Sequence, residues 1–195
     1  MFYNRHMNFS KAGVDMTQRP ISKAAEMTKI ALLVAMNCIS AYIIIPLPFS
    51  LSPIAMQPFI IDLIGFLMTP KQAFMSMLVY ILLGMAGLPV FTGGTSGPGK
   101  IFGPTGGYII GFMVAVTVMA FLKGKEYSFK RYVIVGIIFG VPIIYLMGMA
   151  QLMVLTGMDA TKAFLTGVLP FIPLDIVKCI GAAAVAGPIY RIFNR

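Results

Sequence analysis

An all-α, polytopic integral membrane protein of six transmembrane helices is the fold class this sequence predicts. Three observations predict it. Of 195 residues, 58% are apolar and 11% charged, with a mean hydropathy of +0.90, whereas soluble domains carry about 25% charged residues. The apolar residues fall into blocks bounded by charges and Gly/Pro clusters, and a hydrocarbon core of roughly 30 Å takes about 20 apolar residues per helix. Third, the formal charge of +9 is segregated by connection rather than along one face, which is a topology signal and not a nucleic-acid footprint.

The cations set the expected orientation. Arg5, Lys11, Arg19, Lys23 and Lys29 precede or begin the first apolar block, and Lys71 sits in the second turn. Lys123, Lys125, Lys130 and Arg131 fill the fourth connection, and Arg191 and Arg195 end the chain. Lys100 and Lys162 stand in the alternate connections, and Lys178 lies inside an apolar block. By the positive-inside rule both termini are cytoplasmic, which demands an even number of crossings. Residues 1–21 read as a polar cytoplasmic tail and 22–195 as one membrane domain. The first fifteen residues lack the apolar core of a signal peptide, and Met16 is a second candidate start.

The first helix is expected at about 22–45. Its Ala31-Leu-Leu-Val-Ala35 is a small-x-x-x-small pattern that lets another helix approach closely in lipid, within the chain or from a partner. The segment Pro46-Leu-Pro-Phe-Ser-Leu-Ser-Pro53 has three prolines in eight residues and cannot be regular helix; with almost no charge, it is expected to dip into the outer membrane face. The second helix is placed at about 54–69. If it begins only after Pro58 it spans about 18 Å at 1.5 Å per residue, too short for the bilayer, so the preceding loop must fill the missing depth. The third helix runs from about 71 to 88.

The connection from Leu88 to Pro104 is rich in Gly, Thr, Ser and Pro. At membrane depth such backbone is tolerated only where it lines a cavity or is covered by protein. The fourth helix, about 105–123, begins in Gly103-Pro-Thr-Gly-Gly-Tyr-Ile-Ile-Gly-Phe112. There Thr105 is a candidate N-cap, and Gly106 and Gly107 either admit a ligand to free N–H groups or simply permit close helix packing. The fifth and sixth helices are expected at about 130–157 and 163–192.

Within the sixth, Asp175 and Lys178 are spaced i, i+3 and share one face. Each charge in a span costs roughly 2.5–3.5 kcal/mol on insertion scales, so such residues usually face a cavity, a partner or a pathway; the alternative is a structural ion pair. Pro170 and Pro173 delay the helix so that both lie within a turn or two of the outer face. Asn37 and Asp62 are single polar residues in the first and second helices and are expected to be hydrogen-bonded internally. Cys38 and Cys179 stand alone, as small buried hydrophobes.

Several chemistries are disfavoured. Gly94 to Lys100 spells G-x-x-x-x-G-K, but Ile101 stands where a magnesium-binding Ser or Thr is needed, and no strand precedes it. Gly94-Thr-Ser-Gly97 has the form of an intramembrane serine hydrolase, yet the sole histidine is His6, leaving Lys178 as the one candidate base for Ser96. One His, two separated Cys and six scattered carboxylates offer no metal site. No cofactor and no enzymatic activity is expected.

Three runs carry a resemblance: Ser52-Pro-Ile-Ala-Met-Gln-Pro58, then Tyr80-Ile-Leu-Leu-Gly-Met-Ala-Gly-Leu-Pro-Val-Phe-Thr-Gly-Gly94, then Gly103 to Phe112. In order and spacing they resemble the BioY family, the biotin-capturing S components of energy-coupling factor (ECF) transporters, and the likeness extends from about residue 22 to the C-terminus. It implies a six-helix S-component fold in a bacterial cell membrane. It also implies biotin bound from outside, and association with a transmembrane T component and two cytoplasmic ATPases. It further implies pocket residues Gln57, Phe91, Thr105, Gly106, Tyr108, Asp175 and Lys178, and a T-component docking face at Ala31 and Ala35. The sequence departs from the family at Ala55-Met56, where Thr-Leu is common, and at Lys100, in an insertion-like Pro-Gly-Lys. Other readings are an S component for another small vitamin, a hydrolase using Ser96, and a channel or autonomous carrier. The first and third loops are expected to close over bound ligand.

Overall fold

The computed structural model describes residues 23–193, so the polar tail at 1–21, with Arg5, His6, Lys11 and Arg19, and Arg195 lie outside the described residues. The order is α1 (Lys23–Ser40), β1 (Ile44–Ile45), β2 (Ile54–Ala55), α2 (Gln57–Leu67), α3 (Pro70–Met85), α4 (Pro98–Ile101), α5 (Gly106–Leu122), α6 (Phe129–Val135), a π-helical turn (Gly136–Gly140), α7 (Val141–Thr156), α8 (Ala160–Gly167) and α9 (Ile172–Phe193). α2 lies at the middle, packed on α5 and α9, while α5 also packs on α3 and α7, and α1 rests on α2 and α3.

Among the described residues, two helical stretches are long and apolar enough to cross a bilayer: the 28 residues of α6, the π turn and α7, and the 21 residues Ile172–Ile192. The buried core, with Ile61, Ile64, Phe66, Met77, Tyr80, Val116 and Met119 fully enclosed, is surrounded by an outer surface that is itself apolar. Val154, Phe121, Met27, Ile39 and Ile192 are each about two-thirds or more exposed. Contiguous apolar surface of this kind has no stable place in water.

Local chemistry explains the boundaries. α2 has 11 residues and is about 16 Å long. The chain ahead of it pairs as an antiparallel hairpin, Ile44 with Ala55 and Ile45 with Ile54, holding the three-proline segment at its tip. At the other end of α2, the Lys123 ammonium from α5 donates to the carbonyls of Phe66 and Met68, satisfying acceptors that the helix end leaves open. Thr69 begins α3 with a reciprocal capping box to Gln72.

The structure corrects four expectations. The sixth helix is not continuous: α8 and α9 are separated at 168–171 because Pro170 and Pro173 withhold backbone donors. The fifth contains the π turn, followed by Pro142, whose missing N–H removes an i→i−4 bond just where the wider turn lies. The third connection carries a short helix, α4, and a bridge between Phe91 and Thr95. Asn37 is fully buried, but neither side-chain amide atom has a hydrogen-bond partner.

Candidate functional site

The site begins at the break before α9. Residues 168–171 place Asp175 in the first turn of α9, where its carboxylate is buried. Oδ1 accepts from the Lys178 ammonium at 2.7 Å. Oδ2 accepts from the Tyr145 hydroxyl of α7 at 2.8 Å. Lys178 also donates at 2.7 Å to the carbonyl of Ala55 in β2, so the charge pair ties the last helix to the first hairpin. Asp62 of α2, also buried, lies within electrostatic range of both partners.

Asp175 lines a small cleft of about 60 Å³ that is partly open to solvent. The hairpin contributes Ser52, Pro53 and Ala55, the third connection Thr92 and Lys100, and α5 with its N-cap Thr105, Tyr108, Ile109 and Phe112. Ile144, Tyr145 and Phe171 close the far wall. The cleft is apolar over most of its lining with a few convergent polar groups, the usual form of a small-molecule site. Tyr108 is anchored by donation to the Gly167 carbonyl at 2.7 Å. Burial lowers the pKa of the Lys100 ammonium from its usual value.

Of the residues named from sequence, Asp175, Tyr108 and Thr105 line this cleft, and Lys178 stands behind Asp175. Gln57 and Phe91 do not: both are fully buried. Gln57 Nε2 donates to the Tyr80 hydroxyl at 2.7 Å, and its Oε1 accepts from Thr92. The Phe91 ring meets Tyr80 edge-on, with centroids 5.6 Å apart, and fills a notch that only glycine at 84 leaves open. Gly106 is also withdrawn from the cleft. Its N–H goes to the Gly103 carbonyl, and it lies against the backbone of Ile101 with no room for a Cβ, so the close-packing reading of this glycine holds. Thr105 occupies the N-cap position without a capping hydrogen bond from its side chain. Ala31 and Ala35 are exposed and line a separate apolar groove between α1 and α3.

Sequence reasoning missed Tyr145 and Thr92. The first is one aromatic in an apolar block, with no signal that it meets Asp175 thirty residues on. The second lay inside the quoted Phe91-Thr-Gly-Gly94 run, one residue from the choice made. For the hydrolase reading, Lys178 is engaged by Asp175 and Ala55, and Ser96 is absent from the cleft lining. Among the described residues no group of His, Cys, Asp or Glu has the arrangement of a metal site.

The sequence profile of the BioY family matches residues 13–195. The chain belongs to the BioY family. A probable biotin transporter BioY of Pyrococcus horikoshii is 40% identical over 164 residues, covering 84% of this chain and 95% of that protein. The biotin transporter BioY of Thermotoga maritima is 34% identical over 161 residues, covering 83% and 93%. A crystal structure of the S-component for biotin from an ECF-type ABC transporter superposes with a TM-score of 0.82 at 27% identity, covering 89% of this chain and 95% of that one. BioY membership thus joins the cleft to a fold already seen in an S-component.

Proposed function

We propose that this chain is the substrate-binding membrane subunit of an ECF-type vitamin transporter and that it binds biotin from the outer side. The observation that carries the reading is the Asp175, Tyr145 and Lys178 cluster at the polar end of an otherwise apolar cleft, in a member of the BioY family. Biotin joins a ureido ring, an apolar thioether ring, an acyl chain and a carboxylate. Asp175 presents acceptors to ureido N–H groups and repels a carboxylate, so the ureido ring points toward α9. Phe112, Ile144, Tyr145 and Phe171 enclose the apolar ring. The carboxylate is left toward Lys100.

In this reading α1, α2, α3, α5, the α6 to α7 stretch and α9 are six spans, with both termini cytoplasmic by the distribution of cations. The hairpin and the third connection, which both line the cleft, close over the ligand. Ala31 and Ala35 receive the T component, and two cytoplasmic ATPases supply the energy that this chain does not.

Equilibrium binding of labelled biotin to the purified chain in detergent, beside Asp175→Asn and Lys178→Met, tests the proposal. Saturable wild-type binding that either substitution abolishes is the expected result. A folded wild-type chain that ignores biotin but is saturated by another vitamin would replace the substrate and keep the transporter class.

A further inference from the structure

Two carboxylates are buried among the described residues, Asp175 and Asp62, and the site explains only the first. Asp62 stands in the second turn of α2 and is 3% exposed. The sequence predicts an internal hydrogen bond for it, and the structure provides none. Among the described residues no donor reaches its oxygens, and the charges within electrostatic range are Asp175 and Lys178 of α9. Two neutral titratable groups also face it, Tyr145 of α7 and Cys179 of α9. α1, α3 and α5 pack on α2 as well and bring no charge into that range. Lys123 of α5 sits at the far end of α2, on the Phe66 and Met68 carbonyls.

The charges can be counted. Asp175 and Lys178 form a pair at 2.7 Å, neutral as a unit, with Tyr145 and the Ala55 carbonyl completing its hydrogen bonds. An ionised Asp62 would leave the cluster one negative charge in excess, with no hydrogen bond to offset its desolvation. A carboxylate so placed, beside a second carboxylate, takes up a proton instead. The ammonium beside the two acids disfavours a metal ion in the same position. The small exposed part of Asp62 leaves the acid open to exchange.

We propose that the cluster of Asp62, Asp175 and Lys178 is a proton-binding site, that the proton resides on Asp62, and that proton and ligand hold one another in place. The linkage rests on the biotin reading above; the proton site does not. Biotin arrives as an anion and displaces water from the cleft that Asp175 lines. Both effects make an ionised Asp62 more costly, so the occupied chain keeps its proton to a higher pH than the empty one. By reciprocity, affinity falls as pH rises through the range in which the empty chain loses that proton.

Infrared spectroscopy of the purified chain in detergent reads the proton directly, through the carbonyl stretch of a carboxylic acid, which moves on exchange into D2O. Empty wild type at neutral pH is expected to show this band, and Asp62→Asn to remove it. Lys178→Met, which takes the cation from the cluster, should about double it, because Asp175 then needs a proton as well. The two variants move the band in opposite directions, so misfolding of one cannot imitate both. In a pH titration, saturating biotin should raise the midpoint of band loss by about half a pH unit, equivalent to about a threefold fall in affinity across the transition. No acid band in wild type, a band that survives Asp62→Asn, or one that Lys178→Met leaves unchanged would overturn the site. A midpoint that biotin does not move, or a band that persists to the highest pH the fold survives, would overturn the linkage. A wild-type chain that shows the band and binds no biotin would support the proton site and overturn the substrate reading, and the linkage with it.

Discussion

Asp175 shows how one side chain organises the site. A carboxylate at this depth is tolerable because two donors reach it, one of them charged. Hydrogen bonds to charged groups contribute about 1.5–3 kcal/mol. Tyr145→Phe therefore leaves the ion pair but weakens biotin binding by roughly ten- to a hundredfold, read by the same titration; an unchanged affinity would mean that Tyr145 has no part in holding the carboxylate. Legibility at this scale was uneven. Asp175 and Lys178 stand out in sequence because charge inside an apolar block is costly wherever it lies. Tyr145 gives no such sign, since its role depends on which helix packs against α9. Gln57, named as a pocket residue, lies in the layer behind the cleft wall, and spacing alone cannot tell a pocket wall from that layer.

At the scale of elements, the short helix α2 is held by what lies at its two ends. The hairpin prolongs it on one side, and Lys123 closes its carbonyls on the other. Lys123→Met removes the ammonium and leaves the Phe66 and Met68 carbonyls without that donor. The expected cost is about 1–3 kcal/mol, seen as a lower thermal midpoint in detergent with biotin affinity nearly unchanged. Gly84→Val drives a side chain into the Phe91 ring. Overpacking of this kind costs about 1–3 kcal/mol, and because Phe91 adjoins Thr92 it should lower both the midpoint and the affinity for biotin. A midpoint equal to wild type in either variant would contradict the packing described. The existence of each long helix and the three-proline loop were legible from apolar runs and prolines. The π turn and α4 were not, because hydropathy does not register them; the delay before Asp175 was read from Pro170 and Pro173, but not the separate helix α8 ahead of it.

For the whole molecule, the cleft and the small-residue groove of α1 are separate surfaces. If the groove receives the T component, Ala31→Leu together with Ala35→Leu should abolish co-purification with partner subunits while the isolated chain still binds biotin at wild-type affinity. Loss of both activities would place the two functions on one surface. Fold class was legible in composition, since an apolar exterior over an apolar core admits one solvent. The assembly of the site was not, because it is tied together by residues as far apart as Ala55 and Lys178.

That last bond has a consequence for biosynthesis. Chains are made from the N-terminus, and the residue that Ala55 is waiting for belongs to the final helix. A product truncated before α9 carries the hairpin, the third connection and most of the cleft wall, but neither Asp175 nor Lys178. A ligand stabilises only the state that binds it, so biotin can protect finished molecules from degradation and has no hold on unfinished ones. The vitamin would act, in effect, as a proofreader of the subunit that captures it.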